Sequence, residues 1–182
     1  EPASHPAPAE TRDGRWQQDV DYLASQLTAL HRNAFFSVDR AVFEAQAEEL
    51  MTAAPQLSDA ELVAGMAELT ALIGDGHTYL DVRYSMPDRP LLPLQLGWYG
   101  ADLIVTGAPE AYRDAIGARV VRIDATPIEA AVQAMAPLIA HDNEQQLRNL
   151  SAEFLRMPDL LAAQGIVPGA ERVRFEVVHA DG

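Results

Sequence analysis

Apolar residues recur every three or four positions from Trp16 to Ile73, and the rhythm stops at Gly74-Asp75-Gly76-His77. A 3.6-residue period stacks side chains on one helix face, whereas a period of two alternates them across a strand. A chain that changes period at such a corner is expected to build helices first and strands afterwards. The first stripe is Trp16, Val20, Leu23, Leu27 and Leu30. The second helix is expected to start near Asp39, to bury Val42, Phe43, Ala47, Leu50 and Met51, and to stop before Pro55. The third carries the clearest start and stop. Ser58 and Glu61 have capping-box spacing, Leu57 and Leu62 flank them as a hydrophobic staple, and Gly74 is placed for a left-handed C-terminal cap. Residues 16–74 thus read as a three-helix bundle.

Beyond the corner the pattern is that of short strands. His77–Val82 reads as one strand, and "LQLGWY" and "DLIVTGA" flank a turn as a hairpin. "ARVVRIDATPI" reads as a further strand with its turn at "DATP". "IEAAVQAMAPLI" has a helical period, one or two further helices fall within 141–169, and Val173, Phe175 and Val177 alternate with Arg172, Arg174 and Glu176 at the close. The fold class is therefore α+β. The expected division is a flexible Pro/Ala-rich leader over 1–15, a helical domain over 16–83 and a β-rich domain over 84–182, with the boundary in the proline-punctuated connector at 84–93.

Composition removes several functions. The net charge is −14 in 182 residues, which opposes binding to nucleic acid or anionic lipid. All 13 basic residues are arginine, so no Ser-Lys or Schiff-base chemistry can arise within this sequence. There is no cysteine, hence no thiol catalysis, disulfide or zinc-thiolate site. No apolar run reaches the roughly 18 residues of a membrane helix. The opening residues lack a basic segment followed by an apolar one, and suit the mature end left after removal of a signal peptide.

The order strand, short helix ending at Gly117, "GARVVRIDATPI" (117–128), helix and closing strand resembles a bacterial protease-associated PDZ domain carrying a helical insertion at about 141–169. Leu69, Leu72, Ile73, Gly74, Asp75, Gly76, His77 and Thr78 resemble the "L-x-x-L-I-G-D-G-H-T" corner that ends the helical region of family S41 serine peptidases, the tail-specific and tricorn-type proteases. From Trp16 onward the chain is similar to the front part of that family. The resemblance implies proteolysis of a peptide or protein substrate, no cofactor or metal, and a bacterial periplasmic or secreted setting. It also implies a nucleophilic serine in a following C-terminal domain, since none of Ser4, Ser25, Ser37, Ser58, Ser85 and Ser151 has the context of a nucleophile elbow. By itself the chain is expected to be inactive.

His77 is the candidate catalytic residue, supported by Asp75, Gly76 and Thr78. Two readings of it stand open. In the tricorn-type branch a histidine at this place is the general base for a serine of the next domain; here Gly76 stands where the branch usually has serine. In the other, Asp75 forms an Asx-turn and His77 only organises the corner, with a later lysine as the base. An Asp-x-His metal site has no other histidine at ligand spacing. His31 is expected on the last carbonyls of its helix, and His141 on a solvated loop. The PDZ resemblance implies a peptide groove between Leu103, Ile104 and Val105 on a strand and Ile128 and Val132 on a helix. Trp98 and Tyr99 could line it or pack on the sheet. A non-catalytic PDZ-like peptide-binding or scaffold module is the competing function.

Overall fold

A computed structural model describes residues 7–85 and 89–179. The first six residues of the expected leader, residues 86–88 of the connector and 180–182 of the closing segment lie outside them. The protein is a mixed α+β molecule with one antiparallel sheet.

Helix α1 (Arg12–Leu30) begins four residues earlier than its apolar stripe. Thr11 accepts the Gly14 amide, which satisfies one of the unpaired donors at the helix start. Helices α2 (Arg40–Ala53) and α3 (Asp59–Ala71) follow. The Ser58–Glu61 box forms as expected: the Ser58 hydroxyl accepts the Glu61 amide at 3.3 Å, and Glu61 accepts the Ser58 amide at 2.7 Å. The Ser58 hydroxyl also donates to Glu61 Oε2 at 2.7 Å, and this bond, then the one from the Ser58 amide, holds the Glu61 carboxyl below its ordinary pKa.

Phe43, Leu50, Leu62, Leu69 and Ile73 fill the space between the three helices, joined by Val20 from α1. One expected core position is corrected: Val42 is 52% exposed, at the edge of its stripe, and Leu30, which ends the α1 stripe, is 53% exposed.

The sheet runs β1 (Gln95–Tyr99), β2 (Asp102–Gly107), β3 (Arg119–Ile123) and β4 (Thr126–Pro127), with β5 (Phe175–Val178) also paired to β3. Register is direct in the first hairpin, with Trp98 opposite Leu103 and Tyr99 opposite Asp102. Asp124 takes φ +49° in the turn before β4, a conformation that aspartate tolerates better than most residues. Helices α5 (Ile128–Met135), α6 (Glu144–Phe154) and α7 (Pro158–Ala163) cover the sheet. Their Met135, Leu160 and Leu161, with Leu155 just after α6, are buried against Leu103, Val105, Val120 and Ile123.

Segment 77–81 is not a strand, contrary to expectation. The Leu80 amide donates to the Thr70 hydroxyl at 3.2 Å, so the segment lies against α3 rather than in a ladder, and a helical turn, α4 (Val82–Ser85), follows. The later part of the connector is packed. Arg89 meets Asp159 at 2.7 Å, with 2% of its side chain exposed, and the Leu92 amide donates to the Arg156 carbonyl at 2.8 Å.

Helix α3 serves both clusters. Leu62, Met66 and Leu69 face the other helices, while Val63, Ala64 and Ala67 face the sheet and its helices. Packing through α3 therefore links the two sides of the boundary expected at 84–93.

Replacing Ser58 by alanine removes the α3 cap and should lower unfolding free energy by about 1 kcal/mol, read from urea denaturation. An unchanged midpoint would show that the cap adds nothing beyond the packing of α3.

Candidate functional site

The chain leaves α3 through Gly74, at φ +70°, in the left-handed region that glycine enters at no steric cost. A Cβ there would also collide with the Ser37 hydroxyl, which donates to the Ile73 carbonyl. Asp75 then closes the expected Asx-turn, accepting the His77 amide at 2.9 Å on Oδ1. Its Oδ2 accepts the Thr78 hydroxyl at 3.0 Å and stands 3.3 Å from His31 Nε2. The His77 amide, then His31, then the Thr78 hydroxyl favour the ionised form and draw the Asp75 pKa down to about 2.

The second support comes from far along the chain. The Gly76 amide donates to Asp142 Oδ1 at 2.7 Å. Asp142 precedes α6, whose N-cap Asn143 accepts the Gln146 amide at 3.0 Å. The Gln146 side chain reaches back to accept the Asp142 amide at 2.8 Å. Three separate parts of the fold therefore converge: the end of α1, the corner after α3 and the start of α6.

His77 projects from this junction with 86% of its side chain exposed. Its Nδ1 faces Asp75 Oδ1 at 3.4 Å and Asp142 Oδ2 at 3.9 Å. Both carboxylates lie on the Nδ1 side of the ring. Chemically, the arrangement can orient an imidazole as a proton acceptor. Asp75, His77 and Asp142 also place one ligand atom each within 4.8 Å of one another, the single such set among the described residues. They are the groups that could hold a cation here.

Beside His77 runs an open groove of about 680 Å³. Trp16, Leu23 and Leu27 of α1, Met66 of α3, and Tyr79 and Leu80 form its apolar walls. Of the α1 stripe, only Val20 is buried.

The expected site residues fare differently. Asp75, Gly76, His77 and Thr78 come together as one corner. The expected peptide groove does not form: Leu103, Val105, Ile128 and Val132 are buried and Ile104 is half-buried. Strand β2 is also occupied on both sides. Leu96 of β1 lies opposite Val105, the Val105 amide donates to the Ala118 carbonyl at 3.0 Å, and the Gly117 amide donates to the Val105 carbonyl at 2.8 Å. A peptide cannot add beside a strand whose hydrogen bonds are already used.

Trp98 packs against the core. Its indole N–H donates to the Ser151 hydroxyl at 3.1 Å, and the Arg148 guanidinium lies 4.4 Å from the ring centre, whereas Tyr99 is exposed. His31 departs from expectation: its backbone amide caps α1 on the Leu27 carbonyl, and its ring turns to Asp75. His141 is half-buried, with Nδ1 2.7 Å from the Ile139 carbonyl oxygen.

Sequence reasoning missed His31 and Asp142 as partners of the corner. The one local signal for Asp142 is its place just before an Asn-x-x-Gln helix start, which locates a helix but not its target.

Compared with known proteins, the chain matches no family model, no curated protein and no solved structure.

Because Asp75 ionises at lower pH in the folded chain than at its ordinary 3.8, its stabilising contribution is full above about pH 4. It is lost as pH falls toward 2. The melting temperatures of the parent and Asp75→Asn should differ most above pH 4 and converge as pH falls through 2. A difference that stays constant over that range would remove the electrostatic role of Asp75.

Proposed function

We propose that this chain is the front portion of an S41-type serine peptidase, in which His77 is the general base for a serine supplied by a C-terminal domain outside this sequence. In that reading residues 16–83 are the helical bundle and 84–182 a PDZ-like domain carrying its helical insertion. The observation that carries the reading is the orientation of His77. The ring stands in solvent with carboxylates on its Nδ1 side, and no hydrogen bond within the described residues engages Nε2. An imidazole that only organised its own corner would be expected to lie against it.

The chemistry follows from that geometry. Neutral Nε2 takes the proton from a serine hydroxyl as its oxygen attacks the peptide carbonyl, and the imidazolium then returns the proton to the departing amine. Asp75 and Asp142 stabilise the imidazolium while it exists. The nucleophile, and any oxyanion-stabilising groups beside it, belong to the other domain. The alternative of a PDZ-like peptide-binding module receives less support, because β2 offers no free edge.

A serine-directed fluorophosphonate should leave the 182-residue chain unlabelled and label a longer protein that includes the catalytic domain. In that longer protein His77→Ala should lower kcat by about 10²–10⁴-fold with circular dichroism unchanged. Undiminished turnover would reduce His77 to a turn residue and point to a lysine of the later domain as the base.

A further inference from the structure

The helical insertion does more than cover the sheet. At Gly76 the start of α6 comes so close that an added Cβ would lie 2.8 Å from either amide atom of Gln146 and 3.0 Å from the Asp142 carboxyl carbon. The contact is made by polar groups, so burial of apolar surface does not account for it. Asp142 is itself held from behind, its amide bonded to Gln146, whose own amide caps on Asn143. One oxygen of Asp142 takes the Gly76 amide, and the other faces His77 Nδ1 at 3.9 Å. The titratable groups of this junction are His31, Asp75, His77 and Asp142.

From this juxtaposition we propose that Asp142 is a positioning residue for His77. It pins the Gly76 peptide and, together with Asp75, presents negative charge to Nδ1. A lone pair on Nδ1 would stand beside carboxylate oxygens at 3.4 and 3.9 Å and be repelled, so the neutral ring carries its proton there. The lone pair is left on Nε2, facing outward. Asp142 acts through the histidine and touches no substrate. The proposal rests on reading His77 as a proton acceptor, and it makes the insertion a working part of that acceptor.

The test uses the 182-residue chain with ¹⁵N-labelled histidine, observed where the imidazole is neutral. Long-range ¹H–¹⁵N spectra show directly which ring nitrogen of His77 bears the proton. In the parent that should be Nδ1. Asp142→Asn keeps an oxygen for the Gly76 amide but removes the charge; amide exchange at Gly76 should stay near the parent rate while the ring shifts toward the other tautomer. Asp142→Ala removes both, and Gly76 exchange should rise about tenfold or more, as expected for losing a hydrogen bond to a charged group.

A parent ring protonated on Nε2, or an Asp142→Asn ring pattern identical to the parent, would overturn the proposal. So would faster Gly76 exchange in Asp142→Ala with both variants keeping the parent tautomer, since Asp142 would then support the backbone alone. If Asp142→Ala does not fold, the Asn variant decides. Failure of the general-base reading is a separate result: His77→Ala would leave turnover of the longer protein intact while the tautomer data still stood.

Discussion

Burial of α3 on two faces is the constraint on which the other features depend. Leu62 and Leu69, both fully buried, hold α1 and α2 to it, while Val63, Ala64 and Ala67 on the other face meet the cluster that includes the sheet. Each fully buried leucine contributes roughly 2 kcal/mol, more than a helix cap or an exposed ion pair. The small residues Ala64 and Ala67 allow close approach on the sheet side, and the larger leucines fill the helical side. With α3 fixed between two clusters, the residues immediately after it can go to few places. The corner at Gly74-Asp75-Gly76 is thus delivered to the junction of both halves.

At that junction polar contacts take over from apolar packing. Asp75 satisfies the local backbone, and Asp142 satisfies the Gly76 amide from 66 residues away. An amide–carboxylate bond is charge-assisted and stronger than a neutral one, so a short corner can be fixed without burying His77. The imidazole consequently remains 86% exposed although the Gly76 and His77 amides are each held by a carboxylate. Such a pairing of a rigid support with an accessible ring is what proton transfer to a group outside the chain requires. The apolar groove along α1 adjoins the same ring, placing exposed Tyr79 and Leu30 beside the exposed polar site.

Much of the helical half was legible because its signals are local. The Ser58–Glu61 box, the Gly74 turn and the Asp75 Asx-turn each depend on residues within a few positions of one another, and each forms. The hairpin from β1 to β2 and the helix from Ile128 were legible for the same reason. The failures share the opposite property. Segment 77–81 has a strand-like composition, but the Thr70 hydroxyl claims the Leu80 amide. Leu23 and Leu27 belong to an apolar stripe and pack against the helical cluster, yet each stays half-buried and lines a groove. The strand at Leu103–Val105 was placed correctly, but which of its edges was free depended on where β1 and the segment before β3 came to rest.

By itself the sequence determined the helix stripes, the start and stop of α3, the α+β class and the sharp turn that carries His77, because periodicity and turn chemistry act over a few residues. It also determined, through the absence of lysine and cysteine, that no side-chain amine or thiol of these 182 residues can act as base or nucleophile. Only the tertiary structure decided that His31 and Asp142 share a site with Asp75 and His77, and that β2 is closed on both sides. The reason is that these pairings join residues many positions apart. They come together through the docking of α1 and α6 around α3, and no local preference of either residue specifies its distant partner.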